Sequence, residues 1–143
     1  MKRRQLLQFM ALPLFLAGAC KEELPHVPTI VTGQVIDENG LPLEGAGLRL
    51  TGADNRGWSG VPTFSLTTET DKNGTYRFSY VVPKDTDDVS IASRTTSKVI
   101  IDNLNYQVFV LRGGQYQLES NPYFIPRSDW GKTTIINYQF RTR

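Results

Sequence analysis

The chain has 143 residues, a formal net charge of +2, one cysteine and one histidine. This length supports one domain, and a composition of 39% hydrophobic and 21% charged residues favours a folded core over a disordered polyelectrolyte. The single cysteine excludes an internal disulfide and a thiolate cluster, and the single histidine excludes a multi-histidine metal site.

The first twenty residues have the pattern of an export signal. The basic residues Lys2, Arg3 and Arg4 precede an apolar run over residues 6–16, and small residues follow at 17–19 before Cys20. The run is too short to cross a bilayer, which takes ~20 apolar residues. We therefore predict a signal peptide at residues 1–19.

Removal of this segment changes the charge of the chain. Residues 1–19 contain three of the 16 basic residues and none of the 14 acidic ones, so the remaining chain has 13 against 14, a net charge of −1. No cluster of lysine and arginine remains. The electrostatic pattern of a nucleic-acid-binding protein is therefore absent, and we expect no nucleic-acid partner.

The segment Leu16-Ala17-Gly18-Ala19-Cys20 resembles the lipobox of bacterial lipoproteins. That resemblance implies that Cys20 is lipidated and becomes the mature N-terminus, with residues 20–29 as a proline-containing tether to the membrane. Lys21, Glu22 and Glu23 resemble a signal that places lipoproteins on the cell surface of some Gram-negative bacteria. We therefore expect a lipid-anchored protein of the outer membrane, although a solvated linker remains an alternative interpretation of the three charges.

The rest of the chain alternates polar and apolar residues in short runs separated by turn residues. This pattern predicts an all-β domain over residues 30–143, without sustained helical periodicity. Turn signals every 8–12 residues are typical of a sandwich. The predicted strands cover residues 30–36, 46–50, 63–70, 75–82, 89–92, 98–101, 104–110, 115–119 and 136–140.

Two Asp-x-Asn-Gly segments predict tight turns that end at Gly40 and Gly74. A glycine after asparagine adopts the left-handed conformation that such turns need, and Asp37 and Asp71 can accept hydrogen bonds from the turn backbone. Calcium binding by Asp37, Asp71 and Asn73 is the alternative interpretation. It is disfavoured because neither loop has the further acidic positions of an EF-hand, so we predict no metal and no cofactor.

The segments 32–50 and 68–78 contain the patterns G-x-V-x-D-x-N-G-x-P-L-x-G-A and T-D-x-N-G-x-Y-x-F. Together they resemble the carboxypeptidase regulatory-like domain, over roughly residues 30–82. The resemblance implies a seven-stranded, transthyretin-like or immunoglobulin-like β-sandwich that acts as an accessory module without catalysis of its own.

Catalytic groups are scarce. His26 lies in the tether, where a general base lacks rigid support. The carboxylates Asp85, Asp87 and Asp88 fall in a predicted loop, which favours a solvated turn over a glycosidase pair. We therefore predict that the protein is not an enzyme.

Aromatic residues in loops are the candidate ligand contacts, because sugar rings or partner side chains stack on such rings. The candidates are Trp58, Trp130, Tyr123 and Phe124. The alternative is that each tryptophan packs at one end of the core. The first hypothesis for function is a surface lipoprotein that binds carbohydrate or an outer-membrane protein. The alternatives are a structural or assembly protein that pairs through strand edges, or an accessory subunit of a hydrolase.

Overall fold

The computed structural model describes residues 23–57 and 59–143. The predicted signal peptide, the lipidation site Cys20 and the aromatic candidate Trp58 lie outside these residues. The strands are β1 (Thr29–Ile36), β2 (Gly47–Asp54), β3 (Val61–Glu69), β4 (Thr75–Tyr80), β5 (Asp88–Arg94), β6 (Tyr106–Arg112), β7 (Gln115–Leu118), β8 (Tyr123–Ile125), β9 (Thr133–Ile135) and β10 (Tyr138–Thr142). Within the described residues, one 3-10 turn is present, at Arg127–Asp129.

The strands form two sheets of a sandwich. The six-stranded sheet has the order β4-β1-β10-β6-β7, with β9 also paired to β1, and the four-stranded sheet has the order β3-β2-β5-β8. The predicted all-β sandwich is therefore confirmed. The predicted number of seven strands is wrong, because the described residues contain ten.

Strand alternation builds the core between the sheets. In β4, Tyr76 and Phe78 are buried whereas Thr75 and Arg77 are exposed, as expected for a strand with one face in the core. The remaining inward-facing residues of both sheets follow the same alternation. The largest fully buried side chains are Tyr138, Phe140, Leu48, Leu50, Ile91, Ile136, Val31, Val35, Val89 and Val110.

Both Asp-x-Asn-Gly turns form as predicted. The Oδ1 atom of Asp71 accepts hydrogen bonds from the amides of Asn73 at 2.8 Å and Thr75 at 3.0 Å. Gly74 has a φ of +70°, and a Cβ there would lie 2.4 Å from the carbonyl oxygen of Val35. Only glycine fits this position, because a side chain would meet both backbone strain and a fixed backbone atom.

The prediction of a strand over residues 98–101 is wrong. The amide of Thr96 donates to the Val99 carbonyl at 2.9 Å, and the Val99 amide donates to Thr96 Oγ1 at 3.0 Å. These bonds close a tight turn, so the buried Val99 reaches the core from a loop. The next strand starts at Tyr106 instead of residue 104, and Leu104 is 83% exposed.

Two short strands were not predicted. β8 and β9 have three residues each, which is too few to show a period of two. β9 pairs in parallel with β1, and Ile136 then leads the chain into β10. No helix in the described part of the chain is long and apolar enough to cross a membrane.

Candidate functional site

Trp130 does not provide an exposed ring. Its side chain is only 4% exposed, and its Nε1 atom donates a hydrogen bond to the Ile125 carbonyl at 3.2 Å. The prediction of Trp130 as a ligand-stacking residue is therefore corrected. The side chain packs into the hydrophobic core and fixes the segment after β8, as the alternative interpretation stated.

Tyr123 and Phe124 are neighbours in β8 but face opposite sides of it. Tyr123 is half-buried against the core, whereas Phe124 is 59% exposed. The separation follows from the alternation of side chains along a strand. The two predicted aromatics therefore lie on different sides of β8. Of the two, Phe124 is the one on the outer face of the four-stranded sheet.

Strand register places Phe124 at the end of a row of hydroxyl side chains. Ser65 on β3 pairs with Thr51 on β2, Thr51 pairs with Ser90 on β5, and Ser90 pairs with Phe124 on β8. In the next row, Thr67 pairs with Arg49. We call Thr51, Ser65, Thr67 and Ser90 the hydroxyl face.

The hydroxyl face is polar, and the exposed side chain of Arg49 lies beside Thr67. Neighbouring strands lie about 4.8 Å apart, so the row from Ser65 to Phe124 spans about 14 Å. Within the described residues, none of the four hydroxyls hydrogen-bonds to another side chain or to the backbone. Donors and acceptors therefore remain available along a line that ends in an exposed aromatic ring.

A groove lies beside Phe124, at the edge of the four-stranded sheet. It has a volume of about 390 Å³ and is lined by Leu111, Arg112, Gly113, Pro122, Tyr123 and Phe124. The guanidinium carbon of Arg112 stacks 4.9 Å from the centre of the Tyr123 ring, a distance typical of a cation–π contact. The sequence did not single out Arg112, because an arginine before a Gly-Gly turn resembles any exposed arginine.

Glu119 follows β7, and its carboxylate bonds to β5 of the other sheet. Its Oε1 atom accepts a hydrogen bond from the Ser93 amide at 3.1 Å, and its Oε2 atom accepts one from the Ser93 hydroxyl. The carboxylate thus lies over β5 at Ser93, two residues after Ile91, which is the last residue of β5 that pairs with β8. Burial raises the pKa of Glu119, although the bonds from Ser93 and the charge of Arg112 oppose that shift.

The calcium candidates are engaged in their own turns. Asp37 Oδ1 accepts from the amides of Asn39 at 2.8 Å and Leu41 at 2.9 Å. Asp71 accepts from the Asn73 amide and from the Thr75 amide and hydroxyl, and these bonds hold the pKa of Asp71 below its usual value. Among the described residues, no three histidine, cysteine, aspartate or glutamate side chains converge as a metal site would require.

His26 lies where the tether meets the sandwich. Its Nε2 atom is 3.9 Å from Glu23, and both side chains are exposed. A cleft of about 1140 Å³ separates this part of the tether from the segment after β4, and its polar lining includes Glu23, His26, Lys84, Asp85 and Arg127. Within residues 23–57 and 59–143, no serine or threonine hydroxyl bonds to His26, so the structure does not assemble a nucleophile and base there.

The fold defines the class of two-sheet β-sandwich proteins. No protein-family model matches the chain, and no curated protein matches it. Several solved structures are similar at low identity. The major plantain pollen allergen Pla l 1 is 20% identical with a TM-score of 0.45, over 81% of this chain and 94% of the allergen.

Two further structures show the same degree of similarity. The major pilin subunit BcpA of Bacillus cereus is 21% identical with a TM-score of 0.46, over 82% of this chain and 31% of the pilin. The 3-chlorocatechol 1,2-dioxygenase of Rhodococcus opacus is 14% identical with a TM-score of 0.43, over 86% of this chain and 63% of the dioxygenase. Similarity at this level carries no argument about function.

Proposed function

We propose that this protein is a lipid-anchored, non-catalytic module that binds carbohydrate at the surface of a Gram-negative outer membrane. Cys20 carries the anchor, and the sandwich belongs to the accessory type of the carboxypeptidase regulatory-like domain that the sequence resembles. The hydroxyl face together with Phe124 forms the binding surface. The observation that carries this proposal is the row Ser65, Thr51, Ser90 and Phe124 across the four-stranded sheet.

Carbohydrate fits this surface for chemical reasons. A sugar ring has an apolar face that stacks on an aromatic ring, and its rim of hydroxyls exchanges hydrogen bonds with serine and threonine. Phe124 supplies the ring, and the hydroxyl face supplies donors and acceptors that are not engaged within the described chain. A sheet face about 14 Å long accommodates a polymer better than it encloses a small molecule.

Affinity electrophoresis of the full chain through gels that contain soluble polysaccharides tests the proposal. We expect retardation by at least one neutral polysaccharide and loss of that retardation in Phe124→Ala. The matched control is Ile135→Ala, because Ile135 is 70% exposed on the other sheet. Absence of retardation on every polysaccharide, or equal retardation of Phe124→Ala and the native chain, would contradict the proposal.

Metabolic labelling with a fatty acid tests the anchor separately. We expect label on the native chain and none on Cys20→Ala, because the thiol is the attachment point. Digestion of intact cells with an added protease tests the surface location, since an inward-facing lipoprotein would be protected. Labelled Cys20→Ala or a protected native chain would contradict these parts of the proposal.

An assembly role is the second candidate, and β3 is the observation that favours it. β3 is a nine-residue edge strand without a charged residue from Val61 to Thr68. The Thr70 amide points toward the residues that precede β2, because it donates to the Ala46 carbonyl. Backbone N–H and C=O groups point to opposite sides at successive residues of a strand, so those of the odd-numbered Ser65 and Thr67 point away from β2. An uncharged, unpaired edge of this length is a template for another strand.

Light scattering of the full chain in detergent, over a range of concentrations, tests this second candidate. If β3 mediates assembly, the native chain self-associates and Thr67→Lys does not, because the added charge opposes strand pairing. Gln117→Lys places the same charge on β7, the edge of the other sheet, and is the matched control. A monomer at all concentrations would contradict assembly through this edge.

A further inference from the structure

We propose that Arg112, stacked on Tyr123, binds the carboxylate of an acidic sugar residue, so that the ligand is an acidic polysaccharide. The inference rests on the proposed carbohydrate binding and names the class of sugar that the site prefers. It adds to the row of hydroxyls a charged position at the end of β6 in the other sheet, within the groove beside Phe124.

The side chain of Arg112 is positioned without being neutralised at short range. The Tyr123 ring supports the guanidinium at 4.9 Å, and in the described chain no carboxylate lies within 4 Å of Arg112 and no acceptor takes its hydrogen bonds. An arginine has five N–H donors. The groove around Arg112 therefore has donors available for a ligand.

Two other arginines show what a structurally engaged guanidinium looks like in this protein. Arg141 stacks 4.0 Å from the centre of the Phe109 ring, but its Nε and Nη2 atoms both donate to Gln139 Oε1, at 2.9 and 2.7 Å. Arg56 pairs with the carboxylate of Asp54. Arg112 shares the aromatic support of Arg141 and lacks its hydrogen-bond acceptor.

The groove that contains Arg112 is continuous with the proposed carbohydrate surface. Phe124 belongs to both, since it lines the groove and ends the row of hydroxyls. A chain of sugars that crosses the hydroxyl face and stacks on Phe124 therefore reaches Arg112 at the edge of β8. The groove volume of about 390 Å³ lies at the lower end of the range for ligand sites, which suits one sugar unit of a longer chain.

The chemistry of the groove favours a carboxylate. Among the described residues, Arg112 is the sole charged one that lines it, and a planar guanidinium matches the two oxygens of a carboxylate with two parallel hydrogen bonds. Glu119 is the nearby acid, and its carboxylate is occupied by the amide and hydroxyl of Ser93. In the described chain no ion pair within 4 Å and no hydrogen bond joins Glu119 to Arg112, so the N–H groups of Arg112 stay available to a ligand.

A pair of polymers that differ only in the acidic group tests the inference. The full chain is run in affinity gels that contain polygalacturonate or the same polymer after chemical reduction of its carboxylates. We expect the native chain to bind polygalacturonate about tenfold more tightly than the reduced polymer, as for a hydrogen-bonded ion pair of typical strength. Arg112→Gln removes this preference, and Arg112→Lys keeps part of it because a lysine retains the charge without the planar fork.

Arg141→Gln is the matched control, because it removes a stacked arginine and one positive charge from β10, outside the lining of the groove, and we expect it to keep the preference. Equal affinity of the native chain for both polymers, or an unchanged preference in Arg112→Gln, would overturn the inference. The proposed function would still be supported in that case if the native chain bound the reduced polymer and Phe124→Ala did not. Binding of polygalacturonate that needs Arg112 and is unchanged in Phe124→Ala would support the inference and contradict the hydroxyl face as the carbohydrate surface.

Discussion

The two sheets of the sandwich present outer faces of different character. On the six-stranded sheet, side chains bond to one another and to the backbone: Gln139 accepts from Arg141 and donates to the Asp37 carbonyl at 3.1 Å, and the Thr32 hydroxyl donates to the Tyr76 carbonyl at 2.7 Å. On the four-stranded sheet, the hydroxyl face has no such bonds within the described chain. The first face stabilises the fold, and the second is available to a ligand.

Under the proposed function, this difference separates structural from ligand-binding roles among residues of the same type. Thr32 and Thr51 are both outward-facing threonines on central strands, and Phe109 and Phe124 are both outward-facing phenylalanines. In each pair one member contacts another group of the protein: Thr32 bonds to the Tyr76 carbonyl, and Phe109 is covered by Arg141. Mutations in matched pairs therefore test the comparison directly, because the two faces should respond in different assays.

The phenylalanine pair should give the largest effects. Phe109→Ala removes a half-buried ring that Arg141 covers, and we expect a loss of roughly 2 kcal/mol in the free energy of unfolding, about half the cost of deleting a fully buried ring. Phe124→Ala should leave the free energy of unfolding within about 1 kcal/mol and weaken polysaccharide binding about tenfold or more. Urea denaturation and affinity electrophoresis measure the two quantities. The comparison fails if Phe109→Ala weakens binding as much as Phe124→Ala does.

Gln139 should be important for stability alone. It is 8% exposed, and its carboxamide joins Arg141 to the Asp37 carbonyl. We expect Gln139→Ala to lower the free energy of unfolding by about 1–2 kcal/mol, because it leaves two partners without their hydrogen bonds. Retardation in polysaccharide gels should not change. A variant as stable as the native chain would show that this network does not stabilise the face.

The threonine pair should give smaller and opposite responses. Thr51→Val keeps the shape of the side chain and removes a hydroxyl that has no described partner, so the free energy of unfolding should stay within about 0.5 kcal/mol while carbohydrate affinity falls severalfold. Thr32→Val removes the bond to the Tyr76 carbonyl and should cost about 1 kcal/mol of stability with no loss of affinity. The same two assays measure both variants, and a reversed pattern would contradict the assignment of the faces.

The smallest effect is a pH dependence from Glu119. Burial raises the pKa of this group above 4.5 in the folded state, so the folded chain holds the proton more tightly than the unfolded chain. The free energy of unfolding should therefore fall as pH rises from about 4.5 through the folded-state pKa. Glu119→Gln should remove this slope in melting curves recorded at several pH values.

The acidic turns titrate in a different pH window. The pKa of Asp71 is lowered from 3.8 in the folded state by its bonds to Thr75 and Asn73, so its stabilising contribution is lost only as pH falls below about 3.8. Asp71→Asn should therefore leave the slope above pH 4.5 unchanged. If Glu119→Gln also left that slope unchanged, the slope would have another origin.

Long alternating segments made much of the fold predictable from sequence. The six-residue β4 formed as expected, and so did the Asp-x-Asn-Gly turns before β4 and after β1, because both signals are local. β8 was missed since three residues cannot show a period, and 98–101 was misassigned because Val99 is buried from a turn. Trp130 was among the candidates although it is buried. The local sequence does not distinguish a buried tryptophan from an exposed one when both follow a polar loop.

The candidate site depends on information that no single segment contains. Thr51, Ser90 and Phe124 lie on strands that are neighbours in the sheet but are not consecutive in the chain, so only the pairing register places them in one row. The support of Arg112 by Tyr123 likewise depends on contact between an edge of one sheet and the end of a hairpin in the other. Tyr123 and Phe124 were found from residue type alone, and their separation onto opposite faces followed once β8 was known to be a strand.

Chemical-shift mapping of the labelled full chain, titrated with an oligosaccharide of the polymer that retards it most, tests the central claim most directly. The claim predicts that the amides of Thr51, Ser90 and Phe124 shift with a common dissociation constant while those of Thr32, Phe109 and Gln139 stay in place. Shifts confined to the six-stranded face, or a spectrum that the sugar leaves unchanged, would contradict it.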